Sequence, residues 1–129
     1  MVVGSPDAGN NQGAAYVFVK PRGGWSTTIE TAKLTTSDGG GFFGQSVAIA
    51  GGIAVIGSPF NGLGQRGTAY VFVRPKNGWK TTSKFNAKAL GATKGHYLGQ
   101  SVSISGNNVV AGFAGGSNHH GGAEVFGKK

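Results

Sequence analysis

The chain of 129 residues has no cysteine, one methionine, four prolines and only four acidic residues. Without cysteine there is no disulfide, no thiolate metal site and no cysteine nucleophile, and the redox compartment stays undetermined. The four carboxylates, Asp7, Glu30, Asp38 and Glu124, form no recurring pair of the kind that acid and base catalysis uses. No stretch approaches the roughly 18 to 20 apolar residues that span a bilayer. Residues 1–10, MVVGSPDAGN, carry neither the basic start nor the apolar run of a signal peptide. No glycine-free stretch places apolar residues at a 3.6-residue spacing, so no helix is expected. Membrane insertion is not expected either.

What the chain has in quantity is glycine and positive charge. Its 26 glycines are spread without the triplet period of collagen. Twelve Lys and Arg give a formal net charge of +8, enough to attract polyanions if the charges cluster. Apolar residues make up 38% and fall in short β-branched and aromatic runs, which argues against disorder and points to an all-β chain.

Those runs repeat. VVGSP at residues 2–6 returns as VIGSP at 55–59, AYVFVKPRGGW at 15–25 as AYVFVRPKNGW at 69–79, and FGQSVAI at 43–49 as LGQSVSI at 98–104, a period of 53 to 55 residues. A third copy of the middle section runs from Val109 to Phe126, where GGAEVF answers GTAYVF. Each period carries four strand signals, here lettered A to D. Strand A, FGQSVAIA, alternates bulky Phe43, Gln45, Val47 and Ile49 with small Gly44, Ser46, Ala48 and Ala50, so one face is large and the other small. Strands B (IAVIG) and C (AYVFV) are almost continuously apolar, as when both faces of a sheet are covered. Strand D, TTIETAKL or TTSKFNAKAL, is polar and guarded by Lys33, Lys84 and Lys88, which suits an outer edge.

Gly51-Gly52 and Gly106-Asn107 accept the positive φ of a two-residue hairpin between A and B. KPRGG and RPKNG supply the C to D turns. Four-stranded antiparallel meanders repeating at this period describe the blades of a β-propeller. A sandwich or solenoid of the same hairpins is the alternative, but its outer faces should read as polar. The expected division is a partial blade over 1–37 (strands B to D), a complete blade over 38–92, and a partial blade over 93–129 (strands A to C).

Phe43-Gly44 followed by Gly57-Ser58-Pro59 resembles the FG-GAP repeat of integrin alpha-chain propellers and bacterial extracellular proteins, with Ser58 where the family usually has alanine. GTAYVFV, the Trp after the C to D turn, and AKLTTSDG before Phe-Gly are similar to the bacterial branch. The resemblance implies a propeller of about seven blades in a secreted or cell-surface protein that binds a protein or glycan. Integrin-type blades hold calcium in an Asp-rich A to B loop. Here that position reads Ala50-Gly51-Gly52 and Ser105-Gly106-Asn107-Asn108, without the carboxylates that a hard cation with six to eight oxygen ligands requires. No cofactor is therefore expected.

Roughly two and a half blades cannot close a ring of four to eight. Further blades are expected from a longer chain or from other copies, and the missing outer strands favour the former. Open sheet faces should expose apolar surface.

Strand alternation places the B to C and D to A loops on one face and the tight turns on the other. The loop face offers Asp7, Asn10, Asn11, Gln12, Asn61, Gln65, Arg66, Asn118, His119 and His120, with Asp38 and His96 from the D to A loops. Amide and guanidinium groups beside Phe60 suit a sugar or peptide, although turn chemistry alone explains the same residue types. The turn face offers Lys20, Arg22, Arg74, Lys76 and Lys80, a basic rim that suits sulfated glycans or other polyanions. Nucleic acid is disfavoured because Tyr and Phe do not interleave with those cations in the turns.

His119-His120 lacks a predictable third metal ligand. GQSVA lacks the second glycine of a nucleophile elbow, and GNNQG precedes no helix that could cradle phosphate. The expectation is a noncatalytic recognition or scaffold segment. A lectin-like glycan or polyanion binder, or the accessory domain of a secreted enzyme, are the other readings.

Overall fold

Ile53–Ser58 is buried throughout and Thr68–Val73 at four of its six positions, and their sequences, IAVIGS and TAYVFV, show why. Residues alternate between the two faces of a strand, so an apolar run on both faces is stable only when both are covered. A computed structural model describes residues 1–25, 29–38, 41–61, 65–92, 95–114 and 121–127. It contains three antiparallel sheets, and each stacks on the next.

The first sheet comprises β1 (Val2–Ser5), β2 (Ala14–Val17) and β3 (Ala32–Leu34), in that order. A single helical turn, α1 (Ala8–Asn11), stands between β1 and β2. The central sheet is a four-stranded meander, β4 (Ser46–Ala50), β5 (Ile53–Ser58), β6 (Thr68–Val73) and β7 (Ala87–Leu90). The third comprises β8 (Ser101–Ser105), β9 (Asn108–Phe113) and β10 (Gly122–Gly127), with β9 in the middle. The chain is all-β in this sense, and its sheets are incomplete propeller blades.

Two apolar clusters hold the stack together. Phe43, Ala54, Ile56, Tyr70 and Phe72 of the central blade pack on Ala15, Val17, Ala32 and Leu34 of the first. Ile53, Val55 and Ala69, on its other face, pack on Leu98, Val109 and Ala111 of the third. The alternation in strand A explains the fit. Val47 and Ile49 join the first cluster, while Ser46 points the other way and donates a 2.6 Å hydrogen bond to the Gly99 carbonyl. The large face thus looks back and the small face looks forward.

Backbone bridges seal the joints. Gly13 pairs in parallel with Phe43, and Gly67 with Leu98, joining the end of each B to C loop to the start of the next strand A. Thr82 also bridges Leu34 in parallel, with Thr35 N–H to the Thr82 carbonyl and Thr82 N–H to the Lys33 carbonyl, both 3.0 Å.

Two expectations are corrected. Strand D of the central blade is not one continuous strand. Only Ala87–Leu90 pairs with β6, whereas Thr81 and Thr82 reach back to β3, with Thr81 Oγ1 accepting from Lys33 N–H at 3.1 Å. Polar alternation could not distinguish pairing within a blade from pairing with its neighbour. The second correction is α1, which lies within the DAGNNQG loop and carries no apolar face. It is closed by the loop itself, through Gly13 N–H to the Ala8 carbonyl at 2.8 Å. A turn of this length has no periodicity to read.

Candidate functional site

The β2–β3 and β6–β7 turns are built alike. Gly24 N–H bonds the Pro21 carbonyl and Gly78 N–H the Pro75 carbonyl, each at 3.0 Å. Gly24 and Gly78 have φ of 94° and 97°, a region that favours glycine. Each turn projects its cations outward, so Lys20, Arg22, Arg74, Lys76 and Lys80 are all exposed. Arg74 N–H bonds the Gly52 carbonyl at 2.7 Å, which sets the β4–β5 turn beside the β6–β7 turn on one face. Among the described residues the single ion pair joins Lys88 to Asp38, so the charge of this rim is not neutralised by carboxylates there.

A cleft of about 280 Å³ opens on the same side of the joint between the first two blades. Buried Leu34 and Phe72 and half-buried Trp79 give it an apolar wall, and Lys80, Lys84 and Asn86 line its polar side. It exists because Thr81 and Thr82 cross to β3 and leave a gap over the core. Its volume lies near the lower end of ligand pockets, ~300–1,000 Å³, which suits one ring or a short chain segment. An aromatic wall beside cations is the chemistry that holds an anionic sugar: ring stacking for the apolar face and ammonium groups for the charge. The rim was legible in the sequence. The cleft was not, since it depends on where residues 81 and 82 pair.

On the loop face, Asp7 precedes α1 without a side-chain cap bond, and Asp7 and Gln12 are exposed. Asn10 and Asn11 lie in α1. Gln65 is exposed, with φ of 57°, and accepts a 3.1 Å hydrogen bond from the Tyr97 hydroxyl. Arg66 is partly buried, and its Nε meets no hydrogen-bond partner among the described residues. His96 stacks on Phe113 at 4.5 Å. Asn61, by contrast, is buried, and its amide donates to the Tyr70 hydroxyl. Phe60 contacts Phe42 and Tyr97 edge-on, at 5.1 and 5.4 Å. Asn118, His119 and His120 lie outside the described residues.

Asp38 turns inward. It accepts from Lys88 Nζ at 2.7 Å and from the Thr36 and Tyr70 hydroxyls. Partial burial opposes its ionisation, but the hydrogen bonds from Lys88, Thr36 and Tyr70 outweigh burial and bring its pKa down to about 2. Tyr70 is held above its ordinary value, first by burial and then by the bond to Asp38. Sequence reasoning placed Asp38 among loop-face polar groups. The signal that could have moved it is the cross-strand pairing of Tyr70 with Lys88.

The β4–β5 and β8–β9 turns close directly, with Ala50 opposite Ile53 and Ser105 opposite Asn108. They present no carboxylate, so the residues do not fit the calcium loop of integrin-type blades.

Residues 28–72 match the FG-GAP repeat family. This chain carries an FG-GAP repeat. The matched segment runs from the approach to β3 through β4 and β5 and most of β6, and so contains both halves of the motif, Phe43-Gly44 and Gly57-Ser58-Pro59. No curated protein matches the chain. Among the described residues, no helix is long and apolar enough to cross a membrane.

Proposed function

We propose that this chain is a noncatalytic segment of an FG-GAP propeller that acts outside the cell or at its surface as a recognition scaffold, and that its turn face holds an anionic glycan. The observation that carries the reading is the Trp79 cleft, with Lys80 and Lys84 on its wall and the unneutralised rim of Lys20, Arg22, Arg74 and Lys76 on the same face. A repeated turn presents cations at a repeated position, which matches a polymer with repeated charge. The scattered carboxylates and the lack of a nucleophile elbow support a noncatalytic role. A closed ring needs blades beyond these ten strands.

Heparin, hyaluronan and a neutral glucan, titrated against the 129-residue chain at low and at physiological salt, test the reading. The charged polymers should bind, more weakly as salt rises, and the glucan should not. Lys80→Glu with Lys84→Glu should weaken binding at least fivefold with unchanged circular dichroism. Absence of binding at low salt, or indifference to the two charge reversals, would overturn it.

A further inference from the structure

Asn86, on the wall of the Trp79 cleft, is tied to β6 twice. Its backbone N–H donates to the Val71 carbonyl, and its side-chain oxygen accepts from Val73 N–H, both at 2.8 Å. Only the oxygen of an amide can accept from that N–H, so the orientation of the group is set and its NH₂ is the end left uncommitted. The other polar side chains of the cleft are committed in the same sense. Thr81 Oγ1 accepts from Lys33 N–H at 3.1 Å and Thr82 Oγ1 from Lys84 N–H at 3.0 Å, which leaves each hydroxyl its proton to give. The Thr82 carbonyl is taken by Thr35 N–H at 3.0 Å. Among the described residues, Lys80 and Lys84 have no ion-pair partner. The Trp79 indole N–H, which can only donate, has no hydrogen-bond partner there either.

No carboxylate lines the cleft. Around its apolar floor of buried Leu34 and Phe72 stands a set of donors: ammonium groups, an indole N–H, an amide NH₂ and hydroxyl protons. A neutral hexose suits such a lining poorly, because each enclosed hydroxyl brings a proton that needs an acceptor and is penalised without one. A carboxylate or a sulfate brings acceptors alone. The volume decides between these two. About 280 Å³ admits one ring, and in a hexuronate the carboxylate is bonded directly to a ring carbon, so that ring and charge enter together. It stands where a hexose carries its hydroxymethyl group, and so replaces the most projecting donor of the sugar with acceptors. A sulfate ester stands further from the ring, where the exposed cations of the turns can reach it with no ring in the cleft.

We propose that the Trp79 cleft is a subsite for one hexuronate residue of an acidic polysaccharide. The ring face lies on Trp79, the carboxylate meets the Lys80, Lys84 and Asn86 donors, and the turn cations contact the remaining charge of the polymer. This rests on the reading of the turn face as an anionic-glycan surface, and adds the group that the cleft selects: a carboxylate on the ring, not charge alone.

The test uses the intact 129-residue chain carrying Trp25→Phe, which leaves Trp79 as the sole indole, so that its emission reports occupancy of the cleft. Trp25 is 50% exposed and does not line the cleft. The probes are trigalacturonate, the same trisaccharide with its carboxyls reduced to hydroxymethyl groups, and dextran sulfate, which carries sulfate and no uronate. Trigalacturonate should bind saturably and shift the Trp79 emission. The reduced trisaccharide should bind more weakly by about tenfold or more, because the donors of the site are left unpaired. Dextran sulfate should bind, more weakly as salt rises, with the emission unchanged. Asn86→Asp keeps an oxygen for Val73 N–H but turns the remaining donor into an acceptor. It should weaken trigalacturonate by about tenfold or more and dextran sulfate by less than about threefold, as expected for one charge among a screened rim. If Asn86→Asp fails to fold, the probes on the parent chain still decide the matter. Equal binding of the acid and reduced trisaccharides, or binding of dextran sulfate without trigalacturonate, would overturn the subsite and leave the charged turn face standing. No binding of either polyanion at low salt would overturn both.

Discussion

Gly4 and Gly44 meet across the joint between the first two blades: a Cβ on Gly4 would run into the carbonyl oxygen of Gly44. Gly57 and Gly99 meet in the same way at the next joint. The glycine of Gly-Ser-Pro in one blade is thus the contact surface for the Phe-Gly or Leu-Gly of the following blade. The two halves of the motif lie far apart in sequence because they belong to opposite sides of a joint.

Gly57→Ala should therefore destabilise the chain by about 1–3 kcal/mol, the cost of overpacking against rigid backbone. Gly23→Ala is the control, since a Cβ there meets nothing within 4 Å and its φ is not positive. It should be neutral or slightly stabilising. Urea unfolding of both variants checks the contrast, and equal losses would show that the joint is not close-packed.

Ser46 donates to Gly99 across the second joint at 2.6 Å, while Ser101, its counterpart one blade on, is exposed on the outer face of β8. Ser46→Ala should cost about 1 kcal/mol. Ser101→Ala should change stability by less than about 0.5 kcal/mol, the ordinary range for surface substitutions. Thermal unfolding at matched concentration distinguishes the two.

Asp38 has a folded pKa of about 2 against an ordinary 3.8. A carboxyl lowered on folding adds stability that is complete above about pH 4 and is lost as pH falls towards 2. Solvent screening of this partly exposed pair keeps the effect to roughly 1 kcal/mol or less. Asp38→Asn should lower stability at pH 7 and flatten the decline between pH 4 and 2, as denaturant titrations across that range would show.

Tyr70 moves the other way, raised by burial and by the Asp38 carboxylate. Its contribution is complete below pH 10 and is lost as the solution becomes more alkaline, because the unfolded chain releases the phenol proton first. Tyr70→Phe should remove the phenolate signal near 295 nm that appears latest in an alkaline titration, and should cost about 1–3 kcal/mol at neutral pH through lost hydrogen bonds.

Much of the blade pattern is legible in the sequence. Recurrent VGSP, YVFV and FGQSV place strands B, C and A, and Gly51-Gly52 with Gly106-Asn107 mark the hairpins between A and B. The large and small faces of strand A also read correctly, because Val47 and Ser46 are adjacent and must point apart. The rest depended on contacts between blades. Thr81-Thr82 and Ala87–Leu90 look like one polar strand, yet they pair with different sheets. Asn61 and Asp38 read as free loop residues because they are polar, but both bond to the Tyr70 hydroxyl, Asn61 buried and Asp38 still exposed. At the candidate site the basic rim was visible as a repeated Lys/Arg turn, whereas the Trp79 cleft was not, since it arises from a crossing that no local pattern encodes.

The bridge between Leu34 and Thr82 bears on how such a protein can be cut or extended. By sequence, Thr82 belongs to the second repeat, but its backbone is hydrogen-bonded into the sheet of the first. The unit that recurs in the sequence is therefore not the unit that is bonded together. A chain severed at the edge of a repeat would lose part of the neighbouring blade's outer border, and an inserted repeat would have to bring its own threonine clasp for the blade before it. Duplication of whole repeats preserves every clasp but the one at an end, which makes lengthening by tandem copies structurally easier than excision of a single blade.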